Sequence, residues 1–200
     1  MPKLLSVKIV SAQQPSIKTF AQWCQQRDSL PDNTKHTIDA LLKSALFTKD
    51  CQEADRYLNK LNRLRIGYSQ ISDLRPLASL NKLTSLNLAN NQISDLRPLA
   101  NLNKLTYLNL GYNQIVDLRS VASLTELIYL NIAINLISDL RPIASLKNLT
   151  NLDLGGNKKI SDIKPLASLT NLTQLFLDKK FTKKDCPVEL EVCTWKTREQ

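Results

Sequence analysis

The stretch Leu83-Thr84-Ser85-Leu86-Asn87-Leu88-Ala89-Asn90-Asn91-Gln92-Ile93-Ser94-Asp95-Leu96-Arg97-Pro98-Leu99-Ala100 decides the fold. Its first half alternates apolar and polar residues at Leu86, Asn87 and Leu88, the period of a strand with one buried face. Its second half sets Asp95 and Pro98 among further leucines, which predicts a tight turn and a short helical segment. The second half recurs along the chain. Ile71-Ser72-Asp73-Leu74-Arg75-Pro76-Leu77-Ala78 returns as Ile93 to Ala100, as Ile137-Ser138-Asp139-Leu140-Arg141-Pro142-Ile143-Ala144 and, after one inserted residue, as Ile160 to Ala167. Residues 115–122 hold a degraded copy, with Val116 and Ser120 in place of Ser and Pro. The period is 22 residues. One such unit cannot bury its apolar face alone, so neighbouring units must stack into a solenoid.

Read from its first leucine, the unit fits L-x-x-L-x-L-x-x-N-x-L, the leucine-rich-repeat pattern, in frames starting at Leu61, Leu83, Leu105, Leu127, Leu149 and Leu172. The expected fold class is therefore an α/β solenoid with a parallel sheet of about six strands and short 3-10 or helical segments on the opposite side. In this frame Leu86 and Leu88 point inward while Ser85, Asn87 and Ala89 point outward. Leu96, Leu99 and Leu102 close the core from the far side. Asn91, Asn113, Asn135 and Asn157 occupy the ninth position, where the chain leaves the strand and loses its ladder partners. A buried amide offers both donors and an acceptor there, so a structural ladder of asparagines is expected. Asp73, Asp95, Asp117, Asp139 and Asp162 each precede Pro or its Ser substitute by three residues and read as N-caps. One acidic residue per turn lacks the oxygen density of a calcium loop.

The 22-residue unit with its Ile-Ser-Asp-Leu-x-Pro-Leu-Ala segment resembles the internalin-type leucine-rich repeats of bacteria over residues 61–178. The ends, Thr19-Phe20-Ala21-Gln22-Trp23-Cys24 and Cys186-Pro187, are also similar to flanks of exported repeat proteins of photosynthetic bacteria. The resemblance implies a curved, right-handed horseshoe that binds protein on its inner face. It names no ligand.

Residues 17–60 break the period and read as a helical N-terminal cap, with residues 179–200 as a C-terminal cap or tail. Asp32-Asn33 can cap a helix from Thr34 to Phe47 with an apolar stripe at Ile38, Leu41, Leu42 and Ala45. Thr48-Lys49-Asp50 precedes a second, with Cys51, Ala54, Leu58 and Leu61 at helical spacing. The four cysteines lie two in each cap, which favours disulfides Cys24–Cys51 and Cys186–Cys193 and an oxidising compartment. Zinc is the weaker alternative, because there is no C-x-x-C pair and only one histidine. The expected location is secreted or periplasmic, with the cytoplasm as the alternative. Residues 1–16 are a leader or an irregular segment: Val10-Ser11-Ala12 could end a secretory signal, but Lys8 interrupts an apolar run that is too short. No stretch is long and apolar enough for a membrane-spanning helix, so membrane insertion is not expected.

Nothing in the sequence carries catalysis. His36 is the only imidazole and none of the cysteines lies in a catalytic motif. Walker, dinucleotide and H-E-x-x-H signatures are missing, so no enzyme activity, metal or cofactor is expected. The net charge of +9 divides as +3 over residues 1–60, +5 over 61–171 and +1 over 172–200, so no segment concentrates it. Arg75, Arg97, Arg119, Arg141 and Lys164 form an outer lane that could meet a polyanion, but an Asp two residues away from each argues against a single-sign field and against nucleic acid as partner.

The outward positions point to a protein partner and a monomeric binding module. The third-position lane reads Arg63, Ser85, Tyr107, Tyr129, Asn151, Gln174; the fifth reads Arg65, Asn87, Asn109, Asn131, Asp153, Phe176; the eighth reads Tyr68, Asn90, Tyr112, Ile134, Gly156, Lys179. Aromatics collect in the middle. In the fourth unit Ile128, Ile134 and Leu136 stand where sister units are mostly polar. With Tyr107, Tyr112 and Tyr129 they predict an apolar and aromatic patch rimmed by Asn109 and Asn131, with Asn151 and Asp153 beside it. Receptor or adhesion binding is the first reading; a scaffold or regulatory subunit using the same face is the second.

Overall fold

Each unit spends only three residues on a strand before the chain turns away, and the turns stack as regularly as the strands. The computed structural model describes residues 18–45 and 48–196. Three helices come first: α1 (Phe20–Gln25), α2 (Asp32–Ser44) and α3 (Cys51–Leu58). Seven strands follow: β1 (Arg63–Arg65), β2 (Ser85–Asn87), β3 (Tyr107–Asn109), β4 (Tyr129–Asn131), β5 (Asn151–Asp153), β6 (Gln174–Asp178) and β7 (Cys193–Lys196). They form one parallel sheet in sequence order. The register repeats the 22-residue period, pairing Leu64 with Leu86, Leu86 with Leu108 and Leu108 with Leu130.

Core formation follows the predicted spacing. Leu86, Leu88, Leu99, Leu102 and Leu105 are fully buried, as are their counterparts in the next units. On the side opposite the sheet, 3-10 segments such as Arg75–Leu77, Arg97–Leu99 and Arg141–Ser145 each carry Pro early, where its missing N–H costs nothing.

The aspartates expected as N-caps sit one residue too early for that role. In the second unit, Asp95 Oδ1 accepts the amide of Arg97 at 2.9 Å, while the residue that starts the 3-10 turn is Leu96, with no side-chain cap. Asp73, Asp117, Asp139 and Asp162 repeat this turn. A carboxylate bonded to the amide two residues on closes an Asx-turn, which suits a 3-10 segment too short to leave four orphan donors. The same aspartates hold the outer arginines, with Arg97 on Asp95 at 2.7 Å and Arg141 on Asp139 at 2.8 Å. From Arg75 to Arg141 the outer lane is thus a row of ion pairs.

The helical cap closes the first unit. Phe20, Ile38, Leu41, Ala54 and Leu58 are buried and join the repeat core. Asp73, itself buried, accepts the hydroxyl of Thr34 at 2.6 Å and the Arg75 guanidinium at 2.7 Å, while Thr37 donates to its carbonyl. Burial pushes the Asp73 carboxyl up, but Arg75 and Thr34 together hold it below the usual carboxylate range. α2 starts at Asp32, two residues before the predicted Thr34, with Pro31 before it and no side-chain cap. Pro31 pre-sets the entry instead. The predicted end at Phe47 lies outside the described residues, as does the leader. The second cap helix starts as expected, with Asp50 accepting the amides of Gln52 and Glu53.

Both disulfides are present, Cys24–Cys51 joining α1 to α3 and Cys186–Cys193 closing the tail. The tail also adds β7, a strand that the leucine pattern did not announce. Cys193 pairs with Leu175 and Trp195 with Leu177, so the last leucine strand is covered by one further backbone.

Candidate functional site

A position-by-position comparison of units shows what each outward side chain is doing. At the ninth position the asparagine amide is spent on the backbone. Asn135 Oδ1 accepts the Ile115 amide at 2.9 Å and its Nδ2 donates to the carbonyls of Leu110 and Ile132. Asn91, Asn113 and Asn157 repeat the arrangement. Where the sixth unit has Lys180, its ammonium donates to the carbonyls of Asn157, Lys158 and Ile160, so a cation with three donors ends the ladder.

At the fifth position, side-chain oxygens of Asn87, Asn109, Asn131 and Asp153 each accept the amide two residues on. This fixes their rotamers along the sheet face. Asp153 is buried, at 7% exposure, whereas Asn109 and Asn131 are half-exposed. Asn151 is tied sideways, donating to Gln174 Oε1 at 2.6 Å and accepting from the Thr150 hydroxyl.

At the third position Tyr107 and Tyr129 stand opposite one another on β3 and β4 and stack, with ring centroids 4.4 Å apart and planes 7° from parallel. Burial pushes the Tyr129 phenol above its usual pKa, outweighing a hydrogen bond with Asn131 that acts the other way. The pair forms a flat aromatic step in the middle of the sheet face.

The second and eighth positions lie on opposite edges of that face. At the second, Thr84, Thr106 and Thr173 donate their hydroxyls to a carbonyl of the preceding unit, while the Thr150 hydroxyl, given to Asn151 at 2.7 Å, stands 3.3 Å from the Ile128 carbonyl. Ile128 interrupts this lane with an exposed apolar side chain. At the eighth, the chain has left the strand for a left-handed turn: Tyr68, Asn90, Tyr112, Ile134 and Gly156 all have φ between 52° and 79°. The eighth residues are therefore a rim on the turns instead of a third lane of the sheet. For the β-branched Ile134, at φ 52°, this conformation is a marked outlier. A Cβ built on Gly156 would come within 2.6 Å of Ile134 Cγ1, so Gly156 leaves the space that Ile134 uses.

Two residues missed as surface candidates complete the picture. Val116, noticed only as a defect in the repeat, is exposed, and the Leu136 amide donates to the Ile115 carbonyl, which sets Leu136 next to it. Tyr68 is the most exposed large hydrophobic side chain among the described residues, at 82%. The signal for Val116 was in the sequence, an apolar residue where the other units carry Ser, whereas Tyr68 shares its lane with Tyr112 and Ile134 and does not stand out there. Among the described residues no group of three or more His, Cys, Asp or Glu could hold a metal ion, and no helix is long and apolar enough to cross a membrane.

Comparison with known proteins agrees with this geometry. A family model described as leucine-rich repeats (2 copies) matches residues 59–101, 81–124, 103–145 and 125–168. Among solved structures, internalin C2 of Listeria monocytogenes is 44% identical with a TM-score of 0.59, covering 62% of this chain and 54% of that one. An internalin (InlF) of the same organism is 30% identical, TM-score 0.66, over 72% and 43% of the two chains. The functional domain of InlJ from Listeria monocytogenes, which includes a cysteine ladder, is 26% identical, TM-score 0.54, over 80% and 37%. The chain thus spans between 37% and 54% of the length of these structures. No curated protein sequence matches it. Arrays of this kind are protein-interaction modules. With the repeat model matching more than half of its length, the chain belongs to the leucine-rich-repeat family, and its repeats are internalin-like.

Proposed function

We propose that the chain binds a protein partner on the sheet face of its third and fourth units, as a receptor- or adhesion-type module in an oxidising, extracytoplasmic compartment. One observation carries this reading. Of the six large hydrophobic side chains exposed among the described residues, five, Tyr112, Val116, Ile128, Ile134 and Leu136, lie between residues 112 and 136. Ile128 sits at one edge of the sheet and Ile134 at the other. A partner that covers both must also cover the Tyr107–Tyr129 step and Asn131 between them. Asn109 adds a half-exposed amide to this surface, while Asn151 flanks it and the buried Asp153 lies beside Asn131 on the next strand. Tyrosines are favoured in binding hot spots, and the exposed aliphatics around them extend the apolar patch that such sites present. Two disulfides support the extracytoplasmic setting over a cytoplasmic scaffold.

The test is the double variant Tyr107→Ala with Tyr129→Ala. Losing two hot-spot tyrosines, at about 2 kcal/mol each, weakens partner binding by roughly several hundredfold. Loss of the stacking costs the fold only about 0.5–1.5 kcal/mol, a few degrees in melting temperature. Unchanged affinity, or affinity and fold lost together, would contradict the reading.

A further inference from the structure

The outer arginines are neutralised by their own aspartates, but two arginines on the sheet face are not. Arg63 and Arg65, at the outward positions of β1, are exposed and make no ion pair among the described residues. Arg65 stands beside the exposed Tyr68. Both Tyr68 (φ 55°) and Gln70 (φ 53°) are left-handed, so the first unit alone among those described holds two non-glycine residues in that conformation.

Two open grooves meet here. One, of about 620 Å³, runs between α2 and the first turn and is lined by His36, Asp39, Lys43, Arg65 and Tyr68. The other, of about 430 Å³, runs along the sheet face past Arg65, Tyr68, Asn87, Asn109, Tyr112 and Asn131. Arg65, Gly67 and Tyr68 line both. Asp39 is the only carboxylate in either lining, and Arg27 already holds both its oxygens, each at 2.7 Å. What remains is a cationic junction around an exposed aromatic ring, with an amide-walled groove leading toward the central tyrosines.

We infer that this junction between cap and first repeat docks a carboxylate-rich segment of a protein partner, with an apolar residue packed on Tyr68. The inference rests on the reading of the chain as a protein-binding module and adds to it the charge of the partner and a second anchor. Arginine and tyrosine together favour a carboxylate flanked by an apolar side chain. A long polyanion would instead meet an evenly spaced row of cations, and the row this fold builds is already ion-paired.

The experiment uses a fluorescein-labelled Asp/Glu-rich peptide carrying one Phe, the same peptide with Asn/Gln, heparin fragments, and phosphatidylserine vesicles, each titrated against the whole protein. The acidic peptide is expected to bind, the amide peptide at least about tenfold more weakly, with affinity falling as salt rises. Arg65→Asn with Tyr68→Asn installs the residues that the second unit carries at Asn87 and Asn90, so the unfolding midpoint should hold while peptide affinity drops about tenfold or more. The Tyr107→Ala, Tyr129→Ala variant should still bind the peptide. No peptide binding, equal binding of the amide peptide, binding of heparin or vesicles instead, or an unchanged affinity in the junction variant would overturn the inference. If the peptide were lost only in the central tyrosine variant, the junction would be refuted and the central protein-binding face retained.

Discussion

Replacing Asn135 by Ala tests whether the asparagine ladder holds the turns together. The residue is 5% exposed and makes four bonds to the backbone of its own and the neighbouring turn. The three carbonyls it serves are not orphaned by its loss, because Asn113 also donates to Leu110, Asn157 to Ile132 and the Tyr112 amide to Ala133. The Ile115 amide has no such substitute. One buried N–H left without a partner costs about 1–3 kcal/mol, and loss of the two amide N–H groups that the carbonyls share adds about 0.5–1.5 kcal/mol each, so the variant should lose roughly 2–6 kcal/mol. For a domain of this size that lowers the melting midpoint by roughly 5–20 °C. Thermal and urea unfolding followed by circular dichroism read the effect directly. Asn91→Ala provides the internal comparison, because Asn91 is half-exposed and water can replace part of what is lost. A cost below about 1 kcal/mol at Asn135, or equal costs at both positions, would refute the claim that buried backbone satisfaction is what the ladder supplies.

Three further outcomes follow from the same geometry. Ile128→Thr restores the threonine lane, whose hydroxyls bond the preceding carbonyl, so unfolding measurements should show stability unchanged or raised by up to about 1 kcal/mol while partner affinity, by titration calorimetry, falls. Reduction of Cys24–Cys51, which closes a span of 27 residues, should destabilise the protein by about 3–4 kcal/mol in the chain-entropy account, more than reduction of Cys186–Cys193 with its span of 7. This is checked by urea midpoints of the Cys→Ser pairs. Acid should weaken the fold: Asp73, Asp95, Asp117 and Asp139 all ionise below the usual range, Asp139 at about 2, because Arg141 and its counterparts bond them. Their stabilisation is complete above the unfolded carboxyl pKa of about 4 and is lost as pH falls toward 2. A pH titration of the unfolding midpoint should show that fall, and Asp73→Asn should flatten it.

The leucine spacing carried the strands, their register and the core, because each of those depends on one residue type at one period. The asparagine lane was equally legible from its position at the end of the strand. Three features were not. β7 has no leucine pattern, and its Cys-Thr-Trp-Lys sequence becomes a strand only because β6 offers an open edge. The eighth residues looked like strand positions until the left-handed φ of Tyr112 and Ile134 placed them on the turns, a backbone property that non-glycine side chains do not announce. The aspartates, expected as N-caps, instead close Asx-turns one residue before the cap position, which suits 3-10 segments of three to five residues. For the candidate site, the deviant residues could be found by comparing units, whereas their division between two edges of the sheet needed the coordinates.

The most direct measurement of the central claim is hydrogen exchange on the protein with and without a bound partner, obtained by affinity capture and verified by loss of binding in the Tyr107→Ala, Tyr129→Ala variant. Protection gained at residues 107–136, in the strand and turn amides, with the 3-10 segments around Arg97 and Arg141 unchanged, is the predicted result. Protection confined to the arginine side, with the tyrosine strands unaffected, would contradict it.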